Sequence, residues 1–339
     1  MKIRVIRVDL PLKHVFTNSR NSTSVVRTII VELEQDGLRG HGEAAEDLFY
    51  GVSVEAMVKS IERIRPQVEK YALADPVAFW NALAPELGKN RFAQSAVDMA
   101  ANDLWGKMKN RPLWKIWGYS PDTIPLSSFG VGIDSIERIY EKLTDTIDWT
   151  IFKVRLGPKD DLSILKAIRE RSQAEFHIAL NGSWDTETTL RMLDQLKKLK
   201  VTMIEQPLAA DNWEGMLRLK DKSSIPLIAD ESWMGEDDFT KIAEHFDGVN
   251  LRLSKCGGIT PARRMIAAAK HLGLKISMGG PVESSVGASA TAQLAPLLDY
   301  VSLDGPLLIE KKVGTGVRLE QGRMFYGDEC GTGIRVSFR

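Results

Sequence analysis

The chain has 339 residues, of which 43% are hydrophobic, and its 45 basic and 45 acidic side chains give a formal net charge of zero. A balanced charge gives no global field that would recruit nucleic acid or an anionic membrane, and the length is enough for a large core and two domains. Two cysteines are too few for a disulfide framework, and neither a signal peptide nor a membrane-spanning run is apparent. We therefore expect a cytoplasmic protein with no nucleic-acid or membrane partner.

Three segments near the N-terminus alternate apolar and polar residues: 2–10, 25–34 and 38–44. This alternation predicts an antiparallel sheet of three strands, and Asp36 followed by glycine marks a hairpin between the last two. The segment between the first two strands, 13–24, is polar and too long for a tight turn. It is either a lid over a binding site or a mobile surface excursion.

Helical patterns follow at 53–71, 75–87 and 91–109, and the third is the most regular. Small apolar residues on one of its faces predict a helix pressed closely against its neighbours. We interpret its acids Asp98 and Asp103 as surface or capping charges, because acidic side chains are rarely buried.

From about residue 123 to 308, short apolar runs alternate with amphipathic segments. The run 203–207 delivers Glu205 at its end, and the run 226–231 delivers Asp230 in the same way. Similar runs occur at 150–155, 176–181, 248–252, 274–278 and 300–304. Their tips are 22 to 26 residues apart, which is one strand, one helix and two loops per step. That spacing predicts a parallel (β/α) barrel, in which functional groups lie where strands end.

The chain after residue 313 is rich in glycine and short β patterns, and we expect it to return to the N-terminal sheet. The predicted division is therefore a capping domain of residues 1–122 with 313–339, and a barrel domain of residues 123–312.

Seven motifs in order carry a family resemblance over nearly the whole chain: those at 40–44, 95–106, 152–157, 204–207, 228–232, 249–258 and 303–306. Together they resemble the muconate-lactonizing branch of the enolase superfamily, and within it the dipeptide epimerases of the L-Ala-D/L-Glu type. The resemblance implies an α/β fold, a modified TIM (β/α)₇β barrel with an N-terminal α+β capping domain. It also implies a site between the barrel tips and the capping loops.

Such enzymes abstract the proton α to a carboxylate while a Mg²⁺ ion holds the enediolate. The ion requires about six oxygen ligands, and the proton transfer requires two amines on opposite sides of the carbon. The family supplies three carboxylates on successive strands, a Lys-x-Lys pair on the strand before them and another lysine on the strand after.

This chain matches only part of the metal-ligand set. Glu205 and Asp230 correspond to the second and third carboxylates, whereas the first aligns on Ala179. Asn181 could reach an ion with its amide oxygen, but an amide brings no charge. We therefore expect Mg²⁺ as the family cofactor and weak or absent binding of it here.

The proton-transfer residues are changed as well. Lys153 is retained, but the second lysine of the pair is Arg155 and the lysine on the opposite strand is Arg252. Arginine keeps its proton with a pKa above about 12, so it is a poor base near neutral pH. Lys255 matches a different family position, and His177 could enter the site or have a structural role. Epimerisation should be very slow or absent.

The substrate-binding residues that the resemblance implies are half kept. The family's Asp-x-Asp, which grips a substrate ammonium, is reduced to Ser302 and Asp304. Arg20 in the segment 13–24 matches an arginine that can meet a substrate carboxylate, although a solvated loop charge is the alternative. Glu283 matches a family carboxylate that follows the seventh strand.

Two functions stay open at this point. The first is an isomerase of the racemase and epimerase class, acting on a small carboxylate or dipeptide, with Lys153, Arg155 and Arg252 in altered roles. The second is a non-catalytic pseudoenzyme or binding protein, whose pocket holds a small anionic ligand between the arginines without chemistry. A purely structural alternative for the site is an internal salt-bridge cluster of the two arginines with the two carboxylates, where relatives hold a metal. The sequence leaves the substrate undefined and is compatible with a homo-oligomer.

Overall fold

The computed structural model describes residues 1–159, 161–280 and 282–337. The chain begins with an antiparallel sheet in the order β1-β2-β3. Its strands are β1 (Lys2–Thr17), β2 (Ser22–Gln35) and β3 (Leu38–Ala45). The predicted three-stranded sheet is therefore present, with longer strands than the alternation indicated.

The first hairpin differs from the prediction at its tip. Thr17 pairs with Ser22, so only the residues 18–21 form the turn, and the pairing register shifts between Pro11 and Phe16. The expected long loop at 13–24 is therefore wrong. Its polar residues continue the two strands as an exposed ribbon, since an antiparallel ladder satisfies the backbone groups whether or not the side chains are apolar.

Four helices follow the sheet: α1 (Val54–Glu69), α2 (Pro76–Leu87), α3 (Arg91–Met108) and α4 (Leu113–Ile116). Helix α3 packs directly on β3. A Cβ atom at Gly42 would lie 2.1 Å from the carbonyl oxygen of Ala96, and one at Gly40 would lie 2.2 Å from that of Ala100. Glycine in β3 and alanine in α3 thus allow close approach of the two backbones. This contact fixes the end of β3, and with it the loop that reaches the barrel.

Eight parallel strands form the second sheet, in the order β4 to β11. They are β4 (Phe129–Val131), β5 (Ile151–Arg155), β6 (Glu175–Ala179), β7 (Val201–Glu205), β8 (Leu227–Ala229), β9 (Gly248–Leu251), β10 (Lys275–Met278) and β11 (Tyr300–Val301). A parallel bridge from Ser127 to Val301 joins the two edges of the sheet. The predicted (β/α)₇β barrel is confirmed.

Helices connect the strands around the outside. They are α5 (Ile136–Leu143), α6 (Ser163–Arg171), α7 (Thr186–Lys198), α8 (Trp213–Lys222), α9 (Phe239–His245), α10 (Leu253–Cys256), α11 (Ile259–His271), α12 (Ser285–Ala292) and, after the last strand, α13 (Gly305–Leu308). Over the described residues, no helix combines the length and the apolar character needed to cross a bilayer.

The C-terminal segment returns to the N-terminal sheet by side-chain packing: Val313 and Ile334 share a hydrophobic cluster with Leu10 of β1 and Ile30 of β2. Among the described residues, its short strands pair with each other: β12 (Gly314–Thr315) with β15 (Arg335–Val336), and β13 (Arg318–Glu320) with β14 (Arg323–Phe325). The edge of β1 is met at Leu12 by a bridge from Ile309, just after the barrel. Domain limits at 122/123 and 312/313 stay a prediction.

The acids of α3 are buried, which corrects their interpretation as surface charges. Asp98 is 2% exposed and accepts a hydrogen bond from the backbone N–H of Thr260 at 2.9 Å, at the start of α11. Asp103 is fully buried and accepts from the backbone N–H groups of His41 and Thr332 at 2.9 and 2.8 Å. The two carboxyl groups therefore connect α3 to the barrel, the sheet and the C-terminal segment.

Candidate active site

The candidate site lies at the carboxyl ends of the barrel strands, as the strand spacing predicted. Consecutive strands deliver its residues: Lys153 and Arg155 on β5, Ala179 at the end of β6, Glu205 at the end of β7, Asp230 after β8 and Arg252 after β9. Because parallel strands end at the same edge of a barrel, residues as distant in the chain as Lys153 and Glu205, 52 positions apart, lie side by side.

One half of the site is centred on Glu205, which is 1% exposed. Lys153 donates from Nζ to Oε2 at 2.6 Å, and an Nη1 of Arg155 lies 3.5 Å from Oε1. Burial lowers the pKa of the Lys153 ammonium, with Arg155 acting in the same direction and Glu205 opposing it. Both oxygens of Glu205 thus face cationic side chains.

The other half is centred on Asp230, which is fully buried. Its Oδ2 accepts from Arg252, and Lys255 donates to its Oδ1 at 3.2 Å and to its backbone oxygen at 2.6 Å. Burial alone would raise the pKa of Asp230, but the charges of Arg252 and Lys255 outweigh it and hold that pKa well below its usual range. Arg252 also lies 3.6 Å from Asp47, so its charge is shared between two carboxylates.

The donor set suits a cation poorly. Ala179 has no ligand atom, and Asn181, in a left-handed conformation with φ of 50°, donates its amide N–H to Glu231 at 3.1 Å. The amide oxygen of Asn181 itself has no hydrogen-bond partner. Within the described part of the chain, no group of three or more His, Cys, Asp or Glu side chains is placed to hold a metal ion. Of the three positions where the resemblance implies carboxylates, two therefore have one, Glu205 and Asp230, and both accept hydrogen bonds from cationic side chains.

The hairpin turn contributes Arg20, which the sequence placed among the substrate-binding residues. Arg20 forms an ion pair with Glu231, donates to the backbone oxygen of Asn181 at 3.1 Å and lies with its guanidinium 3.8 Å from the centre of the Phe49 ring. The turn therefore contacts the barrel rim through Arg20 and also through Ser19, whose hydroxyl donates to the backbone oxygen of Leu180 at 3.3 Å. Arg20 is bound to protein groups in this structure and is not a free loop charge.

Sequence reasoning missed three residues that surround Asp230. Glu231 is 7% exposed, and its Oε2 has no hydrogen-bond partner; the hydroxyl of Tyr50 also has none. Burial and the neighbouring Asp230 raise the pKa of Glu231. Its position directly after Asp230 was a signal that could have been used. Asp47 and Tyr50 lie at the two ends of a short 3₁₀ helix after β3 and carried no such signal.

The remaining predicted residues lie elsewhere around the mouth. Asp304 accepts from the backbone N–H of Gly130 at 2.7 Å, and the hydroxyl of Ser302 lies 2.6 Å from that of Ser128. His177 is 3% exposed inside the barrel, where its ring packs edge-on against Tyr300. Burial and the nearby Lys153 lower the pKa of His177 to about 3, so its imidazole is neutral and surrounded by barrel residues.

Comparisons with known proteins agree with this architecture. Residues 1–118 match the mandelate racemase / muconate lactonizing enzyme N-terminal domain, and residues 136–339 match the enolase C-terminal domain-like family. An L-Ala-D/L-amino acid epimerase of Flavobacterium johnsoniae is 41% identical over 99% of this chain and 100% of its own. An L-Ala-D/L-amino acid epimerase of a Maribacter species is 40% identical over 99% and 100%.

A solved structure shows the same fold with ligands bound. The dipeptide epimerase from Methylococcus capsulatus, complexed with Mg and the dipeptide L-Arg-D-Lys, superposes with a TM-score of 0.90 at 26% identity, covering 99% of this chain and 100% of that one. Motif order, barrel topology and relatives agree. This chain belongs to the enolase superfamily, in its mandelate racemase and muconate lactonizing enzyme group, and is similar to dipeptide epimerases.

Proposed function

We propose that this protein is a degenerate homologue of the dipeptide epimerases, which binds a small carboxylate-bearing ligand of the dipeptide class without exchanging its α-proton. The observation that carries the proposal is the pairing of the strand-tip carboxylates with cationic side chains. Glu205 is held by Lys153 and Arg155, and Asp230 by Arg252 and Lys255.

Proton transfer is the first step that this arrangement disfavours. Epimerisation needs a base on one face of the α-carbon and an acid on the other, each able to exchange a proton near neutral pH. At the two positions where the resemblance implies lysines, the chain has Arg155 and Arg252. Burial lowers the pKa of the Arg252 guanidinium, but the charge of Asp230, with those of Glu231 and Asp47, outweighs burial and leaves that pKa well above its ordinary value. Neither guanidinium is suited to accept a proton.

Metal binding is the second requirement that the site does not support. Four basic side chains surround two carboxylates, so a divalent cation would enter a region that already carries excess positive charge. It would also have to displace hydrogen-bonded ammonium and guanidinium groups from Glu205 and Asp230. We therefore propose that Mg²⁺ binds weakly or not at all.

An isomerase with altered residue roles is the second candidate, and one observation favours it. Burial lowers the pKa of both Lys153 and Lys255, which moves each ammonium towards the range of a general base. Each lysine, however, donates to a buried carboxylate at 2.6 to 3.2 Å or to a backbone oxygen. Those hydrogen bonds hold the protonated form, so we place this candidate second.

Solvent deuterium exchange tests the proposal. The protein is incubated in D₂O with a panel of dipeptides that includes L-Ala-L-Glu, with and without Mg²⁺, and deuterium at the α-carbon is followed by mass spectrometry. We expect no exchange above the uncatalysed rate, together with ligand binding in calorimetry. Exchange on the order of 1 s⁻¹ or faster would refute the proposal and favour the isomerase.

A reconstructed site gives the positive comparison. The triple variant Ala179→Asp/Arg155→Lys/Arg252→Lys restores the residues that the resemblance implies, and we expect it to bind Mg²⁺ at least tenfold more tightly than the unmodified protein. Arg138→Lys/Arg218→Lys, at side chains that are 61% and 53% exposed, controls for arginine replacement in general. Micromolar Mg²⁺ binding by the unmodified protein would contradict the metal part of the proposal.

A further inference from the structure

A small pocket at the mouth of the barrel lies beside the ion-pair cluster, between the ends of β9, β10 and β11. Its walls include Arg252, Gly279, Gly280, Glu283 and Ser302. The pocket leaves about 20 Å³ open, which is room for one ligand oxygen or one water. None of the contacts described above fills it.

Arg252 presents an unused donor towards this pocket. Its terminal nitrogens face Asp230 and Asp47, whereas its buried Nε has no hydrogen-bond partner. The neighbouring Cδ atom of Arg252 and an oxygen of Glu283 both lie 4.0 Å from the point that a Cβ atom at Gly280 would occupy. A buried N–H of a guanidinium without an acceptor is costly, and a ligand oxygen would satisfy it.

The facing wall carries no negative charge. Ser302 contributes a hydroxyl, and a Cβ at Gly279 would lie 3.0 Å from the Cβ of Ser302, so the two strand ends are in close contact there. Asp304, two residues on, does not line the pocket, because its carboxylate accepts from the backbone N–H of Gly130 at 2.7 Å. The one acidic side chain that the resemblance retains on this strand is therefore directed elsewhere.

Glu283 is the acid that does line the pocket, and it is largely neutral near pH 7. Burial, with the nearby carboxylate of Glu43, raises the pKa of Glu283 to about 8 against the opposing charge of Arg252. Glu43 itself is fully buried and accepts from the backbone N–H groups of Ser284 and Gly287 at 3.0 and 2.9 Å. A protonated carboxyl group can donate a hydrogen bond to a ligand oxygen.

We propose that this pocket prefers a ligand that places an oxygen acceptor in it, from an acyl or carboxylate group, to a ligand that places a free ammonium in it. The inference deepens the proposed function, on which it rests, by naming the ligand class as N-acylated dipeptides and similar acids. A guanidinium N–H, a neutral acid and a hydroxyl line the pocket, so an ammonium would meet hydrogen-bond donors there and no carboxylate charge in the pocket wall.

Calorimetry with a matched pair of probes tests the selectivity. N-acetyl-L-Ala-L-Glu and L-Ala-L-Glu differ only in the acyl group that replaces the ammonium. We expect the acetylated probe to bind the unmodified protein at least tenfold more tightly, the equivalent of one charge-assisted hydrogen bond. Equal affinity, tighter binding of the free dipeptide, or no binding of either probe to the folded protein overturns the inference.

Substitutions at Ser302 identify the cause of the selectivity. Ser302→Asp adds a negative charge and should reverse the preference, whereas Ser302→Ala keeps the wall neutral and should preserve it. Ser224→Asp makes the same change at an exposed serine before β8, at the opposite end of the barrel, and should have no effect. Loss of the preference in Ser302→Ala would overturn the charge argument.

Failure of this inference can be told apart from failure of the proposed function. If the unmodified protein exchanges the α-proton, the proposed function fails whichever probe binds better. If it does not exchange but binds both probes equally, only the pocket's selectivity is wrong.

Discussion

Two buried aspartates in this protein, Asp98 and Asp230, have almost the same exposure, but the pKa values of their carboxyl groups are shifted in opposite directions. Asp98, between α3 and α11, is 2% exposed and has a backbone N–H as its partner; burial raises its pKa to about 7. Asp230, at the barrel mouth, is fully buried but adjoins Arg252 and Lys255, which depress its pKa. Burial alone therefore does not set the charge of an acid; the charge of its partners does.

Removing the carboxylate of Asp230 should give the largest effect. Asp230→Ala leaves Arg252 and Lys255 buried without their main counter-charge, and we expect it to lower the free energy of unfolding by about 3–5 kcal/mol. Urea denaturation followed by circular dichroism measures the change. A loss below about 1 kcal/mol would show that water or Asp47 already compensates these cations, and would remove the contrast with Asp98.

Replacing Asp98 should change the free energy of unfolding in the opposite direction to Asp230→Ala, by an amount that depends on pH. Because its folded pKa of about 7 is raised above the unfolded value, its stabilising contribution is present below about pH 4 and is lost as the pH rises through 7. Asp98→Asn keeps an acceptor and cannot ionise. Relative to the unmodified protein, its free energy of unfolding should increase between pH 4 and 8, by at most about 4 kcal/mol.

Denaturation of both proteins at pH 4, 6 and 8 measures this difference, and taking the difference cancels the titration of all other groups. Asp122→Asn, at an exposed aspartate, is the matched control and should show no such trend. A stability difference that stays constant with pH would mean that Asp98 is ionised throughout, as Asp230 is.

The ion pair between Arg20 and Glu231 should give the smallest effect, because it belongs to the same cluster but lies at its rim. The Arg20 side chain is 28% exposed, so solvent screens its charge and the loss on Arg20→Ala should be about 1 kcal/mol or less. Thermal unfolding measures it, with Arg20→Lys separating charge from stacking on Phe49. A loss above about 2 kcal/mol would place this pair with the buried ones.

At the strand tips, a carboxylate can coordinate a metal or accept from a guanidinium, and the choice depends on the neighbouring residues. Here Arg252, directly after the neighbouring strand β9, and Lys255, in the short helix α10 that follows, both donate to Asp230. The same backbone therefore supports either a metal site or an ion-pair cluster.

The sequence by itself determined the barrel and the positions of most site residues. Strand period, helix period and the interval between tips are local properties of the chain, so Glu205, Asp230 and Arg252 could be placed at one edge before any coordinates were known. The motifs that carry the family resemblance added the identity of those positions. Length and spacing did not reveal the true extent of the first hairpin, since exposed polar residues at its tip pair as well as apolar ones.

Only the tertiary structure decided which charges meet. Thr260, the partner of Asp98, lies 162 residues further along the chain, and Lys153 lies 52 residues from Glu205. Hydrophobic periodicity carries no information about such distant contacts, so Asp98 read as a surface charge and Tyr50 carried no signal. Pairing, burial and pKa follow from neighbours in space, because Coulomb energy and desolvation depend on distance and dielectric and not on sequence separation.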